Sequence, residues 1–249
     1  MEAGFLPNEL QRIQKSFEKG FYRDLHWARN YYYSYKLVSL NSSELLSGAS
    51  NLQKDMLIYT KRTSQELCVL SLARIYESQD PNYPNRCVSR LSNELRQVEV
   101  AESIEIDYPD ATEDVRQIIQ GNKRHMPVTN LVELTKLIGK ALNQKEIKIK
   151  IKQLLFIRNK YVAHNEDSID TSQYKDFWVN YEKLLVFALY IQKALEQNAF
   201  GSFYEPHGEV NLNPFDSRIR AKNHWLWALI ETIFDKKRIK DPLEHSLLQ

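Results

Sequence analysis

The stretch Phe156-Ile157-Arg158-Asn159-Lys160-Tyr161-Val162-Ala163-His164-Asn165-Glu166-Asp167 holds the residues of this chain whose types and spacing could do chemistry. Histidine, with a free pKa of about 6.5, both takes and gives a proton near neutrality. Arginine stays charged and offers a planar fork that matches phosphate oxygens. Such a pair is compatible with cleavage of an RNA strand by its own 2′-hydroxyl, which needs a proton acceptor and a cation for the phosphate but no metal. His164 would move the proton, Arg158 would hold the phosphate, and Asn159 would orient the phosphate or the histidine.

Geometry restricts how such a pair can act. Six residues rise roughly 9 Å along an ideal helix and turn the two side chains roughly 120° apart. Either the helix loosens near Ala163, or the site is shared between two chains. A purely structural role stands beside the catalytic one, with Arg158 paired to Glu166 or Asp167 and His164 capping the helix end. The spacing alone does not decide, because it recurs at Arg218 to His224 and, one residue longer, at Arg238 to His245. Only the first pair has Asn after the arginine and lies at the end of an apolar-faced helix.

Other familiar chemistries find no support. The sequence has no Gly-rich phosphate loop, no helical two-histidine zinc motif and no paired-cysteine spacing. Its six histidines are dispersed, and Cys68 and Cys87 are its only cysteines, too few for a disulfide framework or a four-cysteine zinc site. No metal or other cofactor is expected. The formal charge of +2 excludes a uniformly basic coat but leaves room for a local basic face. Lys148, Lys152 and Lys160, with Arg74 from an earlier helix, are the candidates for RNA contact. Arg74 and Glu77 are candidates for lining the cleft; the alternatives are a solvated lysine face and a simple interhelical ion pair.

The elements that must position these residues are helices. Hydrophobic residues are 43% and charged residues 27% of the chain, with only 7 glycines and 8 prolines, a balance that argues against a turn-rich β-sandwich. Leu10, Ile13, Phe17, Phe21, Leu25, Ala28, Tyr32 and Tyr35 recur at steps of three and four, predicting a helix from Asn8 to about Leu40. Tyr31, Tyr32, Tyr33 and Tyr35 fit its packing, with base stacking the alternative. A second long helix starts at Ser50, with Gln53 completing a capping box, and ends before the Asp80–Pro84 break. A third carries Val88, Leu91, Leu95 and Val98. Residues 99–127 form an acidic excursion, with a short helix over Ala111–Gln120. A further helix begins near Thr129 and carries Leu131, Leu134 and Ile138.

In Lys145–His164 the isoleucines 147, 149 and 151 alternate with lysines as in a strand. The continuation through Leu154, Leu155, Arg158 and Tyr161 is helical, and no partner strand is in sight, so helix is expected. Ser172–Gln197 is another helix. After a loop over Gly201–Asn213, one last helix is predicted from Pro214 to Lys236. The organisation is thus an all-α bundle of four to five long helices over 1–200, and a loop plus C-terminal helix over 201–249. The longest apolar run falls short of the roughly 20 residues a membrane span needs, and no leader pattern opens the chain. A cytoplasmic protein without membrane contact is the expectation.

The Arg158-Asn159…Ala163-His164 ending, followed by acidic residues, resembles the motif of the HEPN superfamily (higher eukaryotes and prokaryotes nucleotide-binding). The abortive-infection U-type branch is the most similar, and Leu70-Ser71-Leu72-Ala73-Arg74-Ile75-Tyr76-Glu77 fits its earlier leucine- and arginine-containing helix end. The likeness covers about residues 8–197. It implies a HEPN-like bundle, a homodimer with both motifs facing one cleft, and an endoribonuclease of a toxin or phage-defence type acting on RNA. An antitoxin or regulatory partner is implied with it. In related toxins a tyrosine two residues after the histidine receives a nucleotide from an antitoxin. Glu166 stands there in this chain, so that modification is not implied. The alternatives are a non-catalytic module binding RNA or a protein, and a helical adaptor docking through an apolar patch around Trp225 and Trp227.

Overall fold

The computed structural model describes residues 8–77, 87–98, 128–163, 176–200, 215 and 217–245, without the side chains of 161–163. Every regular element among them is helical. The long first helix forms as α1 (Asn8–Phe17) and α2 (Arg23–Leu40), joined without a break by a π-helical turn over Glu18–Tyr22. A short helix, α3 (Ser42–Gly48), follows, and α4 (Asn51–Tyr76) starts on the capping box expected of it. Ser50 Oγ accepts from Gln53 N at 3.4 Å, and Gln53 Oε1 accepts from Ser50 N at 2.9 Å. Next come α5 (Val88–Arg96) and α6 (Leu131–Leu142). The start of α6 is fixed by Asn130, whose side chain accepts from Glu133 N at 3.0 Å.

The ambiguous lysine-rich stretch is the helix α7 (Lys145–Ile157). Ile147, Leu154 and Ile157 are buried while Ile149 is 55% exposed, the helical phase and not the alternation of a strand. Helix α8 (Phe177–Leu195) runs on into a π turn over Glu196–Phe200. The Asp80–Pro84 break, the 99–127 excursion with its Ala111–Gln120 helix, the start of the Ser172 helix and the Gly201–Asn213 loop lie outside the described residues.

The core forms where α2, α4 and α8 meet. Helix α2 runs antiparallel to α4: Asp24 near the start of one faces Arg74 near the end of the other, at 3.9 Å. Tyr181 on α8 donates to the Cys68 carbonyl of α4 at 2.9 Å, and Tyr76 donates back to the Leu184 carbonyl at 2.6 Å. Tyr32, Trp178, Tyr181 and Phe215 pack ring against ring beside them. Tyr32 and Tyr33 are both fully buried, so these two are unavailable for base stacking.

The end of the chain corrects the expectation of one helix from Pro214 to Lys236. Two helices form, α9 (Ser217–Lys222) and α10 (His224–Ile233), and 3₁₀ turns follow at Lys236–Arg238 and Pro242–Glu244. The break is at Asn223, which is buried. Its amide donates to the Ile219 carbonyl at 2.8 Å and accepts from the Ser34 hydroxyl of α2. Trp227 donates to Tyr33 at 2.7 Å, Tyr33 donates to Asp241 at 3.1 Å, and Asn41 exchanges two hydrogen bonds with the Lys240 backbone. These contacts hold the C-terminal segment along α2.

Candidate functional site

Helix α7 ends at Ile157, and the backbone then widens into a π-helical turn over Arg158–Ala163. The same widening occurs over Glu18–Tyr22 and Glu196–Phe200, so the turn alone does not mark a site. The turn covers the described part of the arginine-to-histidine interval. The sequence offered two ways for the pair to converge, and this local widening belongs to the first. His164 itself, with Asn165, Glu166 and Asp167, lies outside the described residues.

Arg158 is three-quarters buried, and its Nη2 lies 2.6 Å from Glu77 Oε1, at the C-terminal end of α4. The expected structural partners were Glu166 and Asp167; the carboxylate in contact is Glu77. One edge of the guanidinium is therefore neutralised. Its Nε is buried and makes no hydrogen bond, which leaves a donor in want of an acceptor. Arg74, one helical turn before Glu77 on α4, reaches in a different direction, toward buried Asp24 on α2. The end of α4 thus gathers Arg74, Glu77 and Arg158 into one charged neighbourhood, as interhelical ion pairs.

The remaining candidates fall elsewhere. Lys148, Lys152 and Asn159 are exposed, with Lys148 and Lys152 one turn apart on the solvent face of α7. Arg158, which follows Ile157 on the inner side, faces α4. The helix therefore separates the lysine row from the arginine instead of aiming both at one point. Lys160 is half-buried. Glu77 and a loosening near Ala163 were both open to a reading of the sequence; the pairing of Glu77 with Arg158 was not, because it depends on how α7 docks on α4.

The two other arginine-to-histidine matches are placed differently. Arg218 and His224 stand on successive helices separated by the Asn223 break, and His245 follows the last 3₁₀ turn. Trp225 is 49% exposed, whereas Trp227 is tied to Tyr33 and has the Arg220 guanidinium 4.6 Å above its ring. Of the two tryptophans named by the adaptor alternative, Trp225 is thus the more exposed.

Among the described residues no three His, Cys, Asp or Glu side chains are grouped to hold a metal ion, and no helix is long and apolar enough to cross a membrane. No family model, no curated protein and no solved structure matches this chain.

Proposed function

We propose that this chain is a metal-independent endoribonuclease with a HEPN-like bundle, acting as a homodimer in a toxin or phage-defence setting. His164 is the general acid/base, Arg158 holds the scissile phosphate and Asn159 assists. The observation that carries this reading is the position of Arg158: at the widened end of an amphipathic helix, beside the α4 terminus, with a buried Nε–H that no protein group accepts. The Arg158 side chain keeps a quarter of its exposure, and a phosphate oxygen is an acceptor its guanidinium fits. Lys148 and Lys152, on the open face of the same helix, would add sequence-independent attraction for the strand.

One observation favours a second reading. The Glu77 carboxylate already engages Arg158, which suits a non-catalytic module that binds RNA or a partner protein through the same fold. Cleavage of total and transfer RNA in the presence of a chelator separates the two. The expected result is cutting that leaves cyclic phosphate ends and is lost in folded His164→Ala and Arg158→Ala. Cutting that persists in folded His164→Ala removes the catalytic assignment and leaves the binding module.

A further inference from the structure

Large hydrophobic side chains that stay exposed gather on one side of the molecule. Trp27 of α2 is 44% exposed and Trp225 of α10 49%, while Leu52, Met56 and Tyr59 on the first half of α4 keep 71%, 46% and 70%. Leu52, Met56, Tyr59 and Thr63 follow at steps of four, three and four, so they share one face of α4. Their stripe leads into a groove of about 730 Å³ between α2, α4 and the junction of α9 with α10. Tyr59 and Thr63 line it from α4, Trp27 and Tyr31 from α2, and Trp225 from α10. Trp27 stacks on Tyr31 with the rings 19° apart, which gives the α2 side a flat aromatic surface. A contiguous exposed surface of this kind marks an interaction site.

Its shape, length and charge define what covers it. With α2 as floor and α4 and the α9–α10 junction as walls, the groove is a trough between helices, which a further helix fills with its apolar face. From Tyr59 the apolar stripe continues back along α4 to Leu52, roughly 10 Å, farther than a small ligand seated in the groove would reach. A second copy in a two-fold contact would set this hollow face against itself and leave it unfilled. Charge then selects among helices. Arg23 and His26 stand one turn apart at the start of α2, and Lys222 Nζ lies 2.6 Å from His26 Nε2, so one end of the groove is basic. Among the described residues that line it there is no aspartate or glutamate. A carboxylate reaching that end meets cations that no acid of the groove wall neutralises.

We infer that this groove docks an acidic amphipathic helix of a partner protein, its apolar face on Trp27, Met56, Tyr59 and Trp225 and its carboxylates at Arg23 and Lys222. The inference is independent of the ribonuclease reading, because Arg158, Asn159 and His164 take no part in it. Ser64 on the groove wall and Glu77 at Arg158 are separated by roughly 20 Å along α4.

The probe is a synthetic peptide of roughly five helical turns, stapled as a helix so that no ordering cost opposes binding. It carries leucines at steps of three and four and glutamates on the remaining face. Calorimetric titration of the full chain should give a dissociation constant of about 100 µM or tighter. The same peptide with lysine for glutamate, and one with its leucines scattered around the helix, should each bind about tenfold more weakly or worse. Tyr59→Ala and Trp225→Ala, both at exposed positions, should each weaken the peptide about tenfold, as loss of an interface aromatic does, while melting like the parent chain. Lys222→Ala should weaken the glutamate peptide several-fold and leave a glutamine version unchanged. No heat at millimolar peptide, equal binding of the scattered peptide, or binding unchanged in both aromatic variants overturns the inference. Sedimentation of the chain alone tests the other occupant. An oligomeric state unchanged by Tyr59→Ala is expected, and a dimer that this variant dissociates would assign the groove to a second copy and overturn the partner helix. Because the titration needs no cleavage, its failure leaves the RNA-cutting assay unaffected.

Discussion

At the scale of single residues, the pairing of Arg158 with Glu77 decides how much of the arginine is available. The contact is short, 2.6 Å, yet both side chains retain a quarter to a third of their exposure, so its contribution to stability is that of a screened pair, about 0.5–1 kcal/mol. Its larger effect is on charge, because a phosphate approaching Arg158 must share it with a carboxylate. Glu77→Gln keeps the shape and an acceptor oxygen but removes the competing charge. If Arg158 holds phosphate, the variant binds RNA several-fold more tightly at fixed salt, with only a small loss in denaturant midpoint. Unchanged or weaker RNA binding would show that Arg158 serves the α4–α7 contact and nothing else. Arg158 was legible in the sequence as a candidate because its type, its Asn neighbour and its helix-end position are all local. Glu77 as its partner was not, since 81 positions separate them and only the docking of two helices joins them.

At the scale of elements, the start of α4 is set by chemistry that can be removed with one atom. The reciprocal Ser50–Gln53 bonds satisfy two backbone N–H groups that the helix would otherwise leave open. Ser50→Ala should lower stability by about 1 kcal/mol in urea unfolding, with an unchanged slope. A loss near zero would mean that packing of Leu57 and the residues beyond it holds this end without the cap. That cap was readable directly from Ser50 and Gln53, as was the stripe from Leu10 to Tyr35, because helix period and capping are local codes. The lysine-flanked isoleucines were ambiguous for a physical reason: three alternating residues fit both periods, and the phase is settled only by burial of Leu154 and Ile157 further on. The break at Asn223 lay beyond any local code. It exists because Asn223 turns inward to meet Ser34 on a helix nearly two hundred residues earlier. The burial of Tyr33 next to Tyr32 has the same origin, for the C-terminal segment covers the side of α2 that a single stripe would leave to solvent. The groove between α2, α4 and the α9–α10 junction, assembled from three distant elements, could not be anticipated for the same reason.

At the scale of the whole molecule, the tyrosines that join the elements also set where the fold fails. Tyr32, Tyr76 and Tyr181 lie in the core, and burial pushes each phenol well above its ordinary value, with nearby Glu182 and Cys68 adding to the effect at Tyr32. Burial likewise raises Tyr33, and raises Tyr35 to about 12. In the unfolded chain these phenols ionise near about pH 10. A group whose pKa is higher in the folded state contributes stability that is complete below the unfolded value and is lost as pH rises through the folded one. Lys36 acts in the other direction. Burial lowers its pKa despite the attraction of Glu182, so its charged form costs the fold stability that returns as pH climbs toward the unfolded lysine value. One lysine opposes several tyrosines that tie α2, α4, α8 and the C-terminal segment together, and the tyrosines dominate. Stability should therefore fall steeply from about pH 10 upward, and helix loss followed by circular dichroism should coincide with the rise of tyrosinate absorbance from the buried phenols. Ionisation of the full tyrosine complement well before any helix is lost would mean that these hydroxyls are reached by water in the native state. The Tyr181–Cys68 and Tyr76–Leu184 bonds would then not be the closed core contacts that hold α4 against α8.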